Sequence, residues 1–339
     1  MQDLFKNYDL QIKDYKKVCK SKIWNEVLDK SFNDLDADKL NNFFSNRLSD
    51  GIANSRFYDE NTIKIKFSEL CKKYKENEVL NLFVKEENNV GNIKNYFPYQ
   101  GRIITNNQID TINFYLQIEK YLEKKKNIIL EIGGGYGGLA RIISENKKCT
   151  YILIDLPEIN LISSFYLTSH FPDKKFLLYK DYIKNEKINF DDYDFIILPP
   201  WSSVNNIKYD FCINIRSMME MSVDSIIKYF SQIQDNLNES GYFLNVNRYY
   251  SYDNNYNFFF HKFPYDKKWK IIKSETSWLQ KNIHLLLTQR TKENFDDIEN
   301  IFKKLKVFTE NRIKYKKNIY YKIKIFIKSL FKRNRLKQL

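Results

Sequence analysis

The spacing of hydrophobic and polar positions changes near residue 127, and this change divides the chain. Before it, apolar residues recur at helical intervals; Ile109 and Ile112, for example, share a helical face behind Thr105, which is suited to cap that helix. After it, short apolar runs alternate with longer amphipathic segments, a pattern typical of α/β proteins. We therefore predict three parts, namely a helical cap region (1–104), an α/β domain (105–292) and a C-terminal extension (293–339).

The α/β domain is predicted to begin with a strand–helix–strand unit. The run Asn127–Ile132 is apolar and ends in glycines, and Tyr151–Asp155 repeats the pattern after a helical segment, as expected of buried parallel strands. Further strand candidates lie at 176–179, 195–198, 211–215 and 242–246, and a closing antiparallel hairpin is expected from 269–274 and 283–288. We favour 195–198 over 176–179 as the third strand of the sheet. The predicted fold is a Rossmann-like α/β sheet with helices on both faces, preceded by a mostly helical N-terminal region.

Glycine is concentrated at one turn, between the first strand and the helix that follows it. Of the nine glycines in the chain, five lie between Gly133 and Gly138. Glycines let the backbone approach a ligand closely, and the helix N-terminus behind them offers N–H donors. Asp155 ends the next strand 22 residues after Gly133, which is typical of an acid that accepts hydrogen bonds from ribose hydroxyls. These features predict a site for a nucleoside-containing cofactor, formed by Glu131, Gly133, Gly134, Gly135, Gly137, Asp155, Leu156 and Asn214.

Two cofactors fit the glycine pattern. Gly133, Gly135 and Gly138 satisfy the G-x-G-x-x-G fingerprint of nicotinamide dinucleotides, which would make the protein a nicotinamide-dependent oxidoreductase. The alternative pattern, E-x-G-x-G-x-G, begins at Glu131 and is that of class I methyltransferases that use S-adenosyl-L-methionine. We favour the second, because a carboxylate at 131 suits the ammonium group of that cofactor and would lie awkwardly near a pyrophosphate. The closing hairpin also suits the methyltransferase sheet.

The chain also resembles a family of sugar O-methyltransferases from bacterial surface-polysaccharide pathways, over about residues 40–290. The resemblance is carried by Asn89–Asn92, Glu131–Ala140, Asp155–Glu158 and Asn214–Met221. It implies a class I methyltransferase domain at 105–292 and S-adenosyl-L-methionine as cofactor. It further implies methylation of a sugar hydroxyl, on a nucleotide sugar or on a surface glycan of the capsule or lipopolysaccharide type. We also expect the N-terminal region (1–104) to contact or cap the substrate.

Candidate substrate and catalytic residues follow two neighbouring strands. In open α/β sheets ligands bind beyond the carboxyl ends of the strands, so we expect Ser217, Asn247, Arg248 and Tyr249 to bind substrate. A sugar hydroxyl needs a base to remove its proton as it reacts. Glu220 is the first candidate for that base, although it could equally serve the dipole of the following helix. His261 is the second candidate. It lies in an aromatic loop (Tyr249–Phe263) that could fold over the substrate, although a lone histidine is more often a packing residue.

Metal-dependent chemistry and N-methylation are both disfavoured by the sequence. The three histidines are scattered and the four cysteines lie far apart without a C-x-x-C pair, so we predict no metal site and a reducing, cytoplasmic location. The segment Leu198–Trp201 is similar to the D/N-P-P-Y loop of amino methyltransferases. Its first residue, however, is a leucine that cannot hydrogen-bond an amine.

Positive charge is concentrated at the C-terminus. Residues 303–339 hold 14 Lys or Arg and one acid, Glu310, so they account for nearly all of the net charge of +14. Apolar residues recur there on one helical face, at Ile319, Ile323, Phe326, Ile327 and Leu330. A basic amphipathic helix of this kind suits the anionic inner face of a membrane. We expect no nucleic-acid partner, because the rest of the chain is nearly neutral, and the oligomeric state stays open.

The remaining expectations concern location and activity. No apolar run approaches the ~18 residues that span a bilayer, and the first fifteen residues lack the pattern of a secretory signal. The protein is therefore expected in the cytoplasm, peripherally at the inner face of the membrane. A non-catalytic alternative is a membrane-docked partner in glycan assembly that keeps a vestigial pocket.

Overall fold

A computed structural model describes the molecule, and it covers residues 1–15, 28, 31–32, 35–46, 48, 58–185, 187–202, 204, 207–252 and 257–315. The N-terminal region contains four helices in these ranges: α1 (Gln2–Lys13), α2 (Ala37–Asn41), α3 (Glu60–Lys73) and α4 (Glu76–Asn81). It also contains a small antiparallel sheet of β1 (Val84–Lys85), β2 (Phe97–Tyr99) and β3 (Arg102–Ile104), in the order β1-β3-β2.

That small sheet was not expected from the sequence. Its β2–β3 hairpin turns at Gln100 and Gly101, whose φ angles are +47° and +68°. Two consecutive residues with positive φ form the tight turn that suits the twist of a two-stranded hairpin. Strands this short leave no measurable alternation of polar and apolar residues, so helical periodicity dominated the prediction for this region.

The α/β domain holds the remaining helices and strands. Its helices are α5 (Asn106–Ile118), α6 (Gly138–Asn146), α7 (Pro157–His170), α8 (Tyr179–Tyr182) and α9 (Val223–Asn236). Its strands are β4 (Asn127–Ile132), β5 (Cys149–Ile154), β6 (Phe176–Leu178), β7 (Phe195–Leu198), β8 (Tyr209–Ile215), β9 (Leu237–Arg248), β10 (Tyr250–Tyr252), β11 (Asn257–Phe259), β12 (Trp269–Thr276) and β13 (Ile283–Arg290). A last helix covers residues 297–315.

Eight of these strands form one sheet in the order β12-β13-β9-β8-β4-β5-β7-β6. Six neighbouring strands run parallel to one another, namely β9, β8, β4, β5, β7 and β6. In contrast, β13 is antiparallel to both of its neighbours, β9 and β12. This order confirms the predicted Rossmann-like sheet and its closing hairpin. It also confirms 195–198 as the strand beside β5, with the 176–178 strand added at the edge.

Both faces of the sheet are buried, so strand residues contact a different core on each side. In β5, Tyr151 and Leu153 lie in the core that includes α5, α6 and α7, whereas Ile152 and Ile154 lie in the core on the α9 side. This alternation is the period-two geometry of a strand covered by helices on both faces. The sheet is thereby held rigidly, and its carboxyl edge carries the loops described below.

The C-terminal extension, predicted from residue 293, begins as a helix that packs on the α/β domain. Ile298 and Leu305 are buried in the core on the α9 side, and the Phe308 ring lies 4.7 Å from that of Tyr249. The predicted amphipathic helix at 319–330 lies outside the described residues. Over the described part of the chain, the helices are all too short or too polar to cross a bilayer.

Candidate functional site

The crevice for a ligand lies at the carboxyl ends of β4 and β8. The chain leaves β4 toward β5 on one side and returns to β8 on the other, which makes this pair the point where strand order reverses. Open α/β sheets bind ligands at such a point. The glycine turn after β4 and the segment 216–220 after β8 therefore meet at the same edge.

The turn after β4 depends on glycine for its backbone conformation. Gly133, Gly135 and Gly137 have φ angles of +75°, +58° and +90°, which side-chain-bearing residues rarely adopt. Gly137 is the N-cap residue of α6, and no side chain of the described residues caps that helix. The N–H groups of its first turn are therefore left for an anionic ligand group.

Close packing adds a second requirement at Gly133 and Gly134 of the turn. A Cβ atom at Gly133 would overlap Ser217, and one at Gly134 would overlap Leu153. The sequence interpretation assigned the missing side chains to a ligand. At these two positions the space is instead taken by the protein's own residues, which lock the turn against the loop after β8 and against β5.

Asp155 lies directly after β5 and holds the glycine turn. Its Oδ2 accepts a hydrogen bond from Gly135 N at 2.9 Å, and its Oδ1 accepts one from Leu156 N at 2.8 Å. Burial raises the pKa of Asp155 to about 7, against the effect of these two bonds; the nearby carboxylates of Glu158 and Glu220 raise it further. Each carboxylate oxygen can accept more than one hydrogen bond, so the group keeps capacity for ligand hydroxyls.

Glu131 is the second buried carboxyl of the turn. Its Oε2 accepts a hydrogen bond from the Tyr151 hydroxyl at 2.8 Å, and its side chain lies under Gly134. Burial raises the pKa of Glu131 to about 7; the hydrogen bond from Tyr151 opposes this shift and the charge of Asp155 adds to it. Two acidic groups that share raised pKa values favour a nearby positive charge.

Asn214 and Asn247 form a hydrogen-bonded network beneath the site. Asn214 Nδ2 donates to the Ile132 carbonyl at 2.8 Å, and Asn247 Nδ2 donates to Asn214 Oδ1 at 2.8 Å. Asn247 Oδ1 in turn accepts from Met219 N at 3.2 Å, and Ser217 Oγ donates to the Ile132 carbonyl at 2.9 Å. These predicted ligand contacts hold the loop after β8 in place, and both asparagines are fully buried.

The other two predicted substrate residues point in different directions. Arg248 is exposed at the end of β9. Tyr249 is buried, and its hydroxyl lies 2.6 Å from Thr276 Oγ1 and 3.3 Å from Nδ1 of His284. Because burial lowers the pKa of His284 to about 4, this histidine is a neutral core residue.

The two candidate bases lie in different turns. Glu220 ends the turn Met218–Glu220 and is close enough to Asp155 to raise its pKa, which places it toward the β5 end of the crevice. His261 lies in the short turn Phe260–Lys262, and burial together with Lys262 and Lys306 lowers its pKa. Strand β11 of the aromatic loop packs against the Met218–Glu220 turn, so this loop does approach the edge of the site.

A polar face of α5 reaches the opposite end of the crevice, and the sequence interpretation missed it. Gln280, in the β12–β13 loop, donates to Asp110 Oδ2 at 2.8 Å, and Trp278 donates to Asn113 Oδ1 at 2.9 Å. Arg216, directly before Ser217, places its Nη1 3.8 Å from Asp110 Oδ2. The signal was present as polar residues at helical intervals in an otherwise apolar helix: Asn106, Asp110, Asn113 and Gln117.

Within the described ranges, no group of three or more His, Cys, Asp or Glu side chains is arranged to hold a metal ion.

Comparison with known proteins gives a likeness of fold. No family model and no curated protein matches the chain. Among solved structures, it is similar to an S-adenosylmethionine-dependent methyltransferase from Clostridium acetobutylicum (11% identity, TM-score 0.35, covering 53% of this chain and 90% of that one). It is also similar to a magnesium protoporphyrin IX methyltransferase from Synechocystis with bound SAM (9%, 0.37, 54% and 79%). An O-methyltransferase family 2 protein from Planctomyces limnophilus is a third (10%, 0.34, 49% and 51%). Values this low assign no activity, and the fold class follows from the strand order described above.

Proposed function

We propose that this protein is a methyltransferase that transfers a methyl group from S-adenosylmethionine to a sugar hydroxyl. The cofactor would supply a methyl group on a positively charged sulfur. The single observation that carries this proposal is the pair of carboxyls, buried Glu131 and partly buried Asp155, beside a left-handed glycine turn at the point where strand order reverses.

The residues around the turn fit this cofactor in three respects. The uncapped N-terminus of α6 behind Gly137 suits its carboxylate. Asp155 keeps acceptor capacity for the ribose hydroxyls, and Glu131 lies where its carboxyl can attract a cationic group. Leu156 positions the Asp155 carboxylate through its N–H. Ser217 and Asn214 fix the wall opposite the turn.

The carboxyl of Glu131 argues against the nicotinamide alternative. A dinucleotide would bring a pyrophosphate with two negative charges to the turn, next to Glu131, whereas Asp155 suits the ribose hydroxyls of either cofactor. Burial already raises the pKa of Glu131 to about 7, so its ionised form is disfavoured before any ligand binds. An anion beside it would add repulsion, whereas a sulfonium or ammonium group would stabilise the ionised form.

The acceptor is proposed to bind at the β8–β9 end of the crevice, away from Asp155. There Arg216, Gln280 and the polar face of α5 offer hydrogen-bonding groups, whereas the Asp155 side is closer to Glu220. Such a surface suits a polyhydroxylated molecule. The assignment to a sugar of a nucleotide sugar or a surface glycan comes from the family resemblance, and the polar surface supports it.

Incubation with methyl-tritiated S-adenosylmethionine tests the activity. The acceptors are uridine-, guanosine- and thymidine-diphosphate sugars and a polyprenyl-diphosphate-linked glycan. We expect label in the sugar that survives alkali, because a methyl ether resists the treatment that cleaves a methyl ester. Label lost in alkali, label retained on a non-sugar acceptor, or binding of the cofactor without transfer to any of these acceptors would contradict the proposal.

A further inference from the structure

Asp110 is a buried carboxyl at the carboxyl edge of the sheet. Helix α5 runs antiparallel to the strand that follows it, β4, so the start of α5 lies at that edge, near the loop that joins β12 to β13. The Asp110 side chain is 4% exposed, and its Oδ2 contacts Gln280 and Arg216. Its Oδ1 is buried with no hydrogen-bond partner among the described residues.

An unpaired oxygen in this position is costly to the folded protein. A buried polar atom without a hydrogen-bond partner destabilises the folded protein, and the effect is larger for a charged group. Burial raises the pKa of Asp110, although the nearby charges of Arg216 and Lys66 and the bond from Gln280 act in the opposite direction. An unsatisfied group of this kind is expected at a site where a bound ligand supplies the missing hydrogen bond.

A buried donor lies one helical turn further along α5. Nδ2 of Asn113 also has no hydrogen-bond partner within the described part of the chain. Residues three apart in a helix share a face, and the loop that contacts Asp110 through Gln280 contacts Asn113 through Trp278. An unsatisfied acceptor and an unsatisfied donor together match a hydroxyl group, which donates one hydrogen bond and accepts another.

Arg216 connects this pair to the glycine turn. The next residue, Ser217, packs against Gly133. Asp110 therefore contacts, through Arg216, the same segment after β8 that packs on the glycine turn. Glu220, by contrast, lies near Asp155 at the other end of the segment after β8. The two ends of this segment therefore separate a cofactor side from an acceptor side.

We propose that Asp110 is the catalytic base that receives the proton of the acceptor hydroxyl, with Asn113 donating a hydrogen bond to the same oxygen. This inference rests on the proposed function. The hydroxyl oxygen forms a bond to the methyl carbon while the carbon–sulfur bond breaks, and the sulfur keeps the electron pair of that bond. The hydroxyl proton passes to the Asp110 carboxylate and later to water, so the products are a methyl ether and a neutral thioether.

Substitution of Asp110 in the full-length protein tests this role in the tritium-transfer assay. We expect Asp110→Asn to reduce kcat by about 10²–10⁴-fold, the usual contribution of a general base, and to leave the affinity for S-adenosylhomocysteine nearly unchanged. The matched control is Asp210→Asn, which also removes a buried carboxylate but at the start of β8, where Asp210 pairs with Lys124 at 2.5 Å. Transfer by this control should stay near the wild-type rate.

A second variant keeps the test decisive if Asp110→Asn does not fold. Asp110→Ala removes the carboxyl and leaves room for a small carboxylic acid, so added formate should raise its rate by at least about tenfold. Formate should not change the rate of Asp210→Ala. A structural role for Asp110 predicts no rescue by formate.

The outcomes separate this inference from the function on which it rests. A wild type that transfers no label contradicts the proposed function, and the role of Asp110 falls with it. A wild type that transfers label, together with an Asp110→Asn variant of similar kcat or an Asp110→Ala variant that formate does not rescue, overturns the inference alone. Glu220→Gln belongs in the same assay, because a loss of kcat confined to that variant would assign the base to Glu220.

Discussion

Asp155 Oδ2 accepts a hydrogen bond from Gly135 N at 2.9 Å, so the acid after β5 fixes the glycine turn after β4. Two strands that are adjacent in the sheet are thereby joined again at their carboxyl ends. The bond needs the left-handed backbone at Gly135, where φ is +58°. The same carboxylate that would meet the ribose also sets the shape of the turn.

Replacement of Asp155 by Asn should weaken cofactor binding. The substitution removes a charged acceptor both from the turn and from the ribose hydroxyls. Hydrogen bonds to charged groups contribute about 1.5–3 kcal/mol, so the Kd for S-adenosylhomocysteine should rise roughly 10–100-fold in a calorimetric titration. The matched control is Asp194→Asn, which removes a carboxylate that accepts from Lys175 N at 3.0 Å just before β7. An equal loss of affinity in both variants would contradict the role of Asp155.

Binding of S-adenosylmethionine should strengthen as the pH rises through 7. In the free protein burial raises the pKa of Glu131 and of Asp155 to about 7, and a cationic ligand favours their ionised forms. Binding should therefore release protons below pH 7. Calorimetric titrations in buffers of different ionisation enthalpy, between about pH 5.5 and 8, measure this proton release. The affinity for the cofactor should change roughly tenfold for each unit by which binding lowers the pKa of a carboxyl.

The stability of the free protein changes with pH in the opposite direction, because these two groups make it less stable as the pH rises. Because both pKa values are higher in the folded state than the ordinary values of 4.5 and 3.8, the folded protein binds these protons more tightly than the unfolded chain. This contribution to the free energy of unfolding is complete below those ordinary values and is lost as the pH rises toward 7.

An affinity for S-adenosylmethionine that does not change with pH would contradict the placement of a cation beside these carboxyls.

Substitution of Gly133 by Ala should destabilise the fold more than the same change at Gly101. Both glycines have positive φ, +75° and +68°, which costs about 1–2 kcal/mol for a side-chain-bearing residue. At Gly133 the new methyl group also overlaps Ser217, which adds about 1–3 kcal/mol, whereas the described residues leave open space around Gly101. Urea denaturation of both variants measures the difference, and equal losses would contradict the packing of Ser217 on the turn.

The basic C-terminal segment, residues 303–339 (the basic tail), is proposed to bind an anionic membrane surface. In the full-length chain we would replace four tail lysines by glutamine, at Lys322, Lys324, Lys328 and Lys332. Each lysine near an anionic surface contributes about 1 kcal/mol, so partition onto vesicles with phosphatidylserine should fall at least roughly 100-fold. The control replaces four exposed lysines elsewhere, at Lys72, Lys94, Lys125 and Lys148. Unchanged co-sedimentation of the tail variant would contradict a membrane role for the tail.

The sequence predicted the elements whose signals are local. Thr105 caps α5 through Gln108 N at 3.1 Å, as predicted, and Ser222 caps α9 in the same way through Ser225 N at 3.2 Å. The eight strands of the large sheet also followed from short apolar runs, whereas the β10–β11 hairpin was predicted as part of a loop. Such signals depend on neighbours along the chain, which a single sequence shows directly.

The proposed acceptor side of the site could not be predicted in the same way. Asp110, Arg216 and Gln280 are separated by long stretches of chain, and only the fold brings them together. Asn214 and Asn247 were predicted as ligand contacts because they follow strands, and that remains a prediction; in the structure, Asn247 Nδ2 donates to Asn214 Oδ1 at 2.8 Å. Whether a polar residue at a strand end faces the ligand or the protein depends on packing that no local pattern records.

The most direct test of the cofactor site is calorimetric titration of the full-length protein with S-adenosylhomocysteine and, separately, with NAD. We expect saturable one-to-one binding of S-adenosylhomocysteine that Asp155→Asn weakens, and no binding of NAD. Binding of NAD, or no heat from S-adenosylhomocysteine even at millimolar concentration, would contradict the assignment of the glycine turn to an adenosyl sulfonium.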